Sequence, residues 1–73
     1  MPFVEVNIAP GRGPEAKAAL IAELTEVIVR RLGVPAPTVA VLIREEPAEN
    51  WGRAGRTKAA LDAARARGEA PDP

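Results

Sequence analysis

The chain has 73 residues with no cysteine and no histidine, which excludes disulfides, zinc-finger ligand sets and histidine catalysis. One domain of this size buries only about 60% of the surface its unfolded chain exposes, so association is the stabilising device left and a stable oligomer is expected. Ten basic residues balance ten acidic ones, which leaves no electrostatic footprint for nucleic acid, and no apolar run approaches the ~20 residues of a membrane span.

The N-terminus lacks the basic start and apolar core of a secretory signal, so a cytoplasmic protein is expected. Residues 3–8 alternate: Val4, Val6 and Ile8 share one face, and Phe3, Glu5 and Asn7 the other. This spacing predicts a strand with one buried face. Pro10-Gly11-Arg12-Gly13-Pro14 breaks the chain. Pro14 suits a first helical turn, where its missing N–H costs nothing, and Glu15 complements the positive end of the helix dipole.

From Pro14 to about Leu32 the period becomes helical. Leu20, Leu24, Val27 and Ile28 form a stripe flanked by Ile21 and Leu32. Arg30 and Arg31 fall in the last turn and Gly33 at the residue that ends the helix. Val34-Pro35-Ala36-Pro37 supports neither helix nor central strand. Residues 38–44 predict a second strand, with Val39, Val41 and Ile43 on one face and Thr38, Ala40, Leu42 and Arg44 on the other.

Strand, long helix and strand make an α+β chain built on a β-α-β unit, with parallel strands and a right-handed crossover. Two strands under one helix are not stable alone, so the sheet's edges and open face are expected to meet other subunits. After Pro47, residues 49–56 have the composition of a turn that brings Trp51, the only tryptophan, near the sheet. Residues 57–67 have good helix propensity, and 68–73 read as a frayed tail. The expected division is a β-α-β domain over 1–56, then a short C-terminal helix and flexible tail over 57–73.

Pro2 is the first candidate for chemistry. Aminopeptidases remove Met1 when a small residue follows, and the product starts with a secondary amine. Burial or a nearby cation tunes such an amine towards neutrality, which suits a general base. Arg12, between two glycines and before a helix, is either an anion holder acting with backbone N–H groups or a solvated loop arginine. Trp51 in a glycine-containing turn is either the wall of an apolar pocket or core packing.

Pro2 after Met1, the 3–8 strand, Gly11-Arg12, Glu15-x-Lys17 and Leu20-Ile21 resemble the start of 4-oxalocrotonate tautomerases. Thr25-Glu26 in mid-helix, the Leu32-to-Pro35 link, Val39-x-Val41-x-Ile43, Glu45 and Asn50-Trp51-Gly52 continue the resemblance over about residues 1–55. It implies a cofactor-independent and metal-free tautomerase of the 2-hydroxymuconate type, serving the catabolism of aromatic compounds. Such an enzyme converts enol or dienol forms of unsaturated 2-keto acids to the keto forms. Pro2 would be the catalytic base, Arg12 would bind the substrate carboxylate and Trp51 would line the pocket.

The resemblance further implies a homo-oligomer, expected to be a hexamer, with active sites at subunit boundaries. Its partner is a small-molecule carboxylate substrate rather than nucleic acid or a membrane. One position departs from the pattern. Where the family's tautomerases commonly carry a second arginine in the second strand, this chain has Ala40. Arg44, on the same face, is a possible second cation, and Arg53 and Arg56 are others. Two alternatives stand beside the tautomerase. One is a hydratase or dehalogenase of the same superfamily using Glu5, Glu45 or Glu46 to activate water, and the other is an oligomerising module without catalysis.

Overall fold

A computed structural model describes residues 1–68. Strand β1 (Phe3–Ile8) leads into helix α1 (Pro14–Leu32) and returns through β2 (Ala40–Glu45). A small hairpin follows, with β3 (Gly52–Arg53) and β4 (Arg56–Thr57), and then helix α2 (Lys58–Ala66). Strands β1 and β2 are parallel, with Phe3 opposite Ala40, Glu5 opposite Leu42 and Asn7 opposite Arg44. The expected β-α-β unit is present.

Local chemistry explains the boundaries. Pro14 opens α1, and Gly33 closes it in the left-handed conformation (φ 66°), its N–H donating to the carbonyl of Val29. The second strand starts two residues later than the alternation alone predicts. Thr38 is held in a short 3₁₀ turn over Ala36–Thr38, where both its backbone N–H and its Oγ1 donate to the carbonyl of Pro35, at 3.0 and 2.7 Å. Thr57 caps α2 through Oγ1, which accepts from the N–H of Ala60 at 3.0 Å. The helix expected over 57–67 therefore forms with Thr57 as its cap, while residues 69–73 of the expected flexible tail lie outside the described residues.

The buried side of the sheet carries Val4, Val6, Ile8, Val41 and Ile43, against Leu20, Leu24 and Ile28 of α1, all only half-buried. Val27, expected on the packed stripe, stays 40% exposed, and Leu32 is also exposed. Among the described residues only Ala64 is buried. Met1, Phe3, Ile21, Val27, Leu32 and Leu42 are all exposed. Much apolar surface that a self-sufficient domain would hide is therefore open. Its open face carries Phe3, Glu5, Asn7, Ala40, Leu42 and Arg44, with Phe3 62% and Leu42 39% exposed.

Among the described residues no helix is long and apolar enough to cross a membrane.

Candidate active site

The loop between β1 and α1 turns at Gly11, whose φ of 123° belongs to a region that side chains rarely enter. Arg12 follows, and one Nη of its guanidinium donates to the carbonyl of Ala9 at 3.2 Å. This contact folds the side chain back over the C-terminal end of β1. Trp51 reaches the same region from the other end of the chain. Its indole Nε1 donates to the carbonyl of Glu46 at 2.9 Å, and its own carbonyl accepts from the N–H of Lys58 at 2.8 Å. The ring is thus tied to the end of β2, and the backbone of Trp51 to the start of α2.

Between them lies a cleft of about 400 Å³. Arg12 and Trp51 both line it, together with Arg53 of the hairpin and Lys58, Asp62 and Arg65 of α2. Lys58 and Asp62 neutralise each other through a contact of 2.7 Å. Arg65 had no signal in strand or motif patterns. It reaches the cleft because α2 folds back, and its place one turn beyond Leu61 and Asp62 is the only cue the sequence held. Among the described residues no three acidic side chains converge as a metal site.

Two of the residues singled out from sequence lie elsewhere. Arg44 does not line the cleft, and its Nε sits 3.5 Å from Glu5 Oε1 on the open face of the sheet. Pro2 stands at the opposite end of β1, where its carbonyl accepts from the N–H of Ala40 at 3.0 Å. Four strand residues, 3–6, separate Pro2 from Asn7 at the cleft's edge, a span of ~17 Å. A small substrate cannot touch both within one protomer. Of the carboxylates considered for water activation, Glu45 is bound to Lys17 at 2.7 Å and Glu5 faces Arg44, and neither they nor Glu46 line the cleft.

A parallel β-α-β unit carrying a cationic, tryptophan-walled cleft beyond its strand ends defines a small α+β protein suited to handling an organic anion. A family model described as tautomerase enzyme matches residues 2–61. A probable tautomerase of Ralstonia nicotianae is 50% identical over 60 residues, covering 82% of this chain and 86% of that one. The 2-hydroxymuconate tautomerase of Comamonas testosteroni is 42% identical over 55 residues, covering 75% and 87%. Among solved structures, TomN, a 4-oxalocrotonate tautomerase homologue of the tomaymycin biosynthetic pathway, superposes with a TM-score of 0.85 at 36% identity, covering 88% of this chain and 98% of its own.

The chain belongs to the tautomerase family, in the 4-oxalocrotonate tautomerase branch, and its class of activity is isomerisation.

Proposed function

We propose that this protein converts enol or dienol forms of unsaturated 2-keto acids to their keto forms, with the amine of Pro2 as general base after loss of Met1. The observation that carries this reading is the shared cleft of Arg12 and Trp51, residues far apart in sequence and on different elements. A guanidinium beside an indole wall is a site for an organic carboxylate: the fork holds the anion while the ring excludes water and lowers the local dielectric.

The proton path follows from the amine. Neutral Pro2 takes the proton from the enol hydroxyl, negative charge spreads over the oxygen and the conjugated carbons, and the same amine returns the proton to carbon. No cofactor enters this scheme. Met1 is 97% exposed, which leaves its peptide bond open to an aminopeptidase. While Met1 remains, the Pro2 nitrogen is an amide without basicity.

The distance from Pro2 to the cleft supports a shared site in a homo-oligomer, for which we propose a hexamer. In it, Pro2 of one subunit meets the Arg12 and Trp51 of another. The apolar surface left open on each protomer is what such an assembly would cover. Among the described residues a carboxylate that activates water, which a hydratase requires, has no counterpart in the cleft apart from the Lys58-bound Asp62.

Ketonisation of a small enol such as that of phenylpyruvate, followed by absorbance, tests the reading. Protein whose intact mass shows Met1 removed should accelerate the reaction, with a rate that rises with pH as the amine loses its proton. Protein retaining Met1 should be inactive, and Pro2→Ala should lose at least about 10²-fold, the low end for a general base. An unchanged rate in Pro2→Ala eliminates this base.

A further inference from the structure

The cleft is far more cationic than the protein that carries it. Among the described residues four cationic side chains line it, Arg12, Arg53, Lys58 and Arg65, with one carboxylate, Asp62. Four less one leaves +3, whereas the whole chain sums to zero. The Lys58–Asp62 pair is closed on itself, so the excess resides in three guanidiniums. Among the described residues Arg53 and Arg65 have no carboxylate partner, and Arg12 contacts only the carbonyl of Ala9.

Like charges collected in one cavity repel, and the cost rises as water leaves. A solvated protein surface has no need of this arrangement. An anion that bridges the guanidiniums removes the repulsion. One carboxylate is satisfied by one bidentate guanidinium, so Arg12 accounts for a single carboxylate and leaves two forks for further negative charge. In the proposed reaction the only new negative charge develops on the enol oxygen as its proton leaves. The side chain of Ala40, a methyl group at the strand end that carries Pro2, can donate nothing to it.

We infer that Arg53 and Arg65 form the second cationic grip of the active site and stabilise the enolate oxygen while Arg12 holds the carboxylate. Arg53 stands on the hairpin next to Trp51, and Arg65 lies on α2, so the grip is built from the segment that follows the β-α-β unit. The hairpin and α2 thereby become part of the catalytic apparatus. This inference rests on the tautomerase reading for the identity of the anion but not for the existence of the grip.

The test uses the full-length oligomer and two probe anions, oxalate, a planar dianion that mimics a 2-keto acid enolate, and butanoate, a monoanion. Trp51 is the only tryptophan and lines the cleft, so its fluorescence reports occupancy. Arg53→Gln/Arg65→Gln should weaken oxalate at least tenfold and butanoate less than threefold. In turnover it should lower kcat at least tenfold with little change in KM, whereas Arg12→Gln should chiefly raise KM. Arg53→Lys/Arg65→Lys should recover part of the oxalate affinity, because charge returns without the fork.

Oxalate affinity unchanged within twofold in the glutamine variant overturns the inference, as does an equal loss for both anions, which would mean only a general field. Pro2→Ala separates this inference from the reading beneath it. Oxalate affinity that depends on Arg53 and Arg65, with a rate indifferent to Pro2, would sink the proline mechanism and leave the grip standing. The reverse pattern would sink the grip alone.

Discussion

The backbone N–H of Ala40 donates to the carbonyl of Pro2 across 3.0 Å. The parallel ladder thus extends one residue beyond the start of β1 and holds the residue whose nitrogen is proposed to move the proton. Ordinary termini fray because nothing pairs with them. Here the terminal residue has its carbonyl in a sheet, so a nitrogen freed by loss of Met1 would stay within three bonds of a hydrogen-bonded oxygen. Ala40 therefore contributes through its backbone what its side chain cannot.

This arrangement makes Ala40→Arg informative. Position 40 is exposed and on the same sheet face as Phe3, so an arginine there meets no packing obstacle within the protomer. In the Arg53→Gln/Arg65→Gln background, Ala40→Arg should raise kcat for enol ketonisation by tenfold or more, since one well-placed donor to a developing oxyanion lowers the barrier by ~3 kcal/mol. In the otherwise unchanged chain the gain should stay below tenfold. Steady-state rates on the same enol decide it, and a large gain in the unchanged chain would mean that no second cation operates there now.

Trp51 serves the cleft and the fold through different atoms, which two substitutions can separate. Trp51→Phe keeps an aromatic wall but leaves the carbonyl of Glu46 without its 2.9 Å donor, a loss of about 1 kcal/mol of stability. Activity should stay within a few-fold. Trp51→Ala removes the wall as well, and KM should rise by about tenfold or more as the cleft floods with water. Thermal melts beside steady-state kinetics check both. Equal losses of activity in the two variants would assign the ring no part in binding.

The hairpin that presents Arg53 turns through Ala54 and Gly55, with φ values of 54° and 79°. Two positive φ values in a two-residue loop are the signature of a type I′ turn, whose twist matches the flanking strands. Gly55 accepts this freely, but Ala54 sits in left-handed space at a cost of roughly 1 kcal/mol. Asparagine tolerates that region, so Ala54→Asn should stabilise the protein by about 0.5–1 kcal/mol, a rise of a few degrees in Tm at fixed protein concentration. A lower Tm would mean that the turn relaxes away from this geometry.

The central unit was legible because each element is signalled by local chemistry. Alternation marked β1 as Phe3–Ile8, and the Pro14 and Gly33 punctuation bounded α1, as found. The start of β2 was not, because the hydroxyl and amide of Thr38 bend the chain back to Pro35 and override an alternating pattern that runs through it. Strands β3 and β4 were hidden too. Each has two residues, and Ala54-Gly55 lacks the Asn-Gly or Asp-Gly pair that announces a tight hairpin. Arg12 and Trp51 could be picked out by residue type and neighbourhood. Arg65 could not, since only the return of α2 over the end of β1 brings it to them. Arg44 drew notice through its strand face, and that same placement set it beside Glu5 rather than in the cleft.

The separation of Pro2 from the cleft turns assembly into a test of catalysis. The open sheet face presents Leu42 next to Glu5 in the ladder, with Phe3 two residues along the same strand face. Leu42→Lys puts a second cation beside Glu5, which already faces Arg44, so the isolated protomer loses little, whereas an apolar subunit contact over this face would have to bury a charge with no carboxylate of its own. Such burial costs several kcal/mol when unpaired, enough to dissociate a contact of ordinary size. Light scattering after size exclusion should show smaller particles, circular dichroism should show the helices retained, and ketonisation should fall to background although Pro2, Arg12, Trp51, Arg53 and Arg65 are all unchanged. Adding Phe3→Ser should deepen the dissociation without further effect on the residual rate. A dissociated variant that keeps its activity would mean that one protomer holds a complete site, which a ~17 Å strand between base and cleft does not allow.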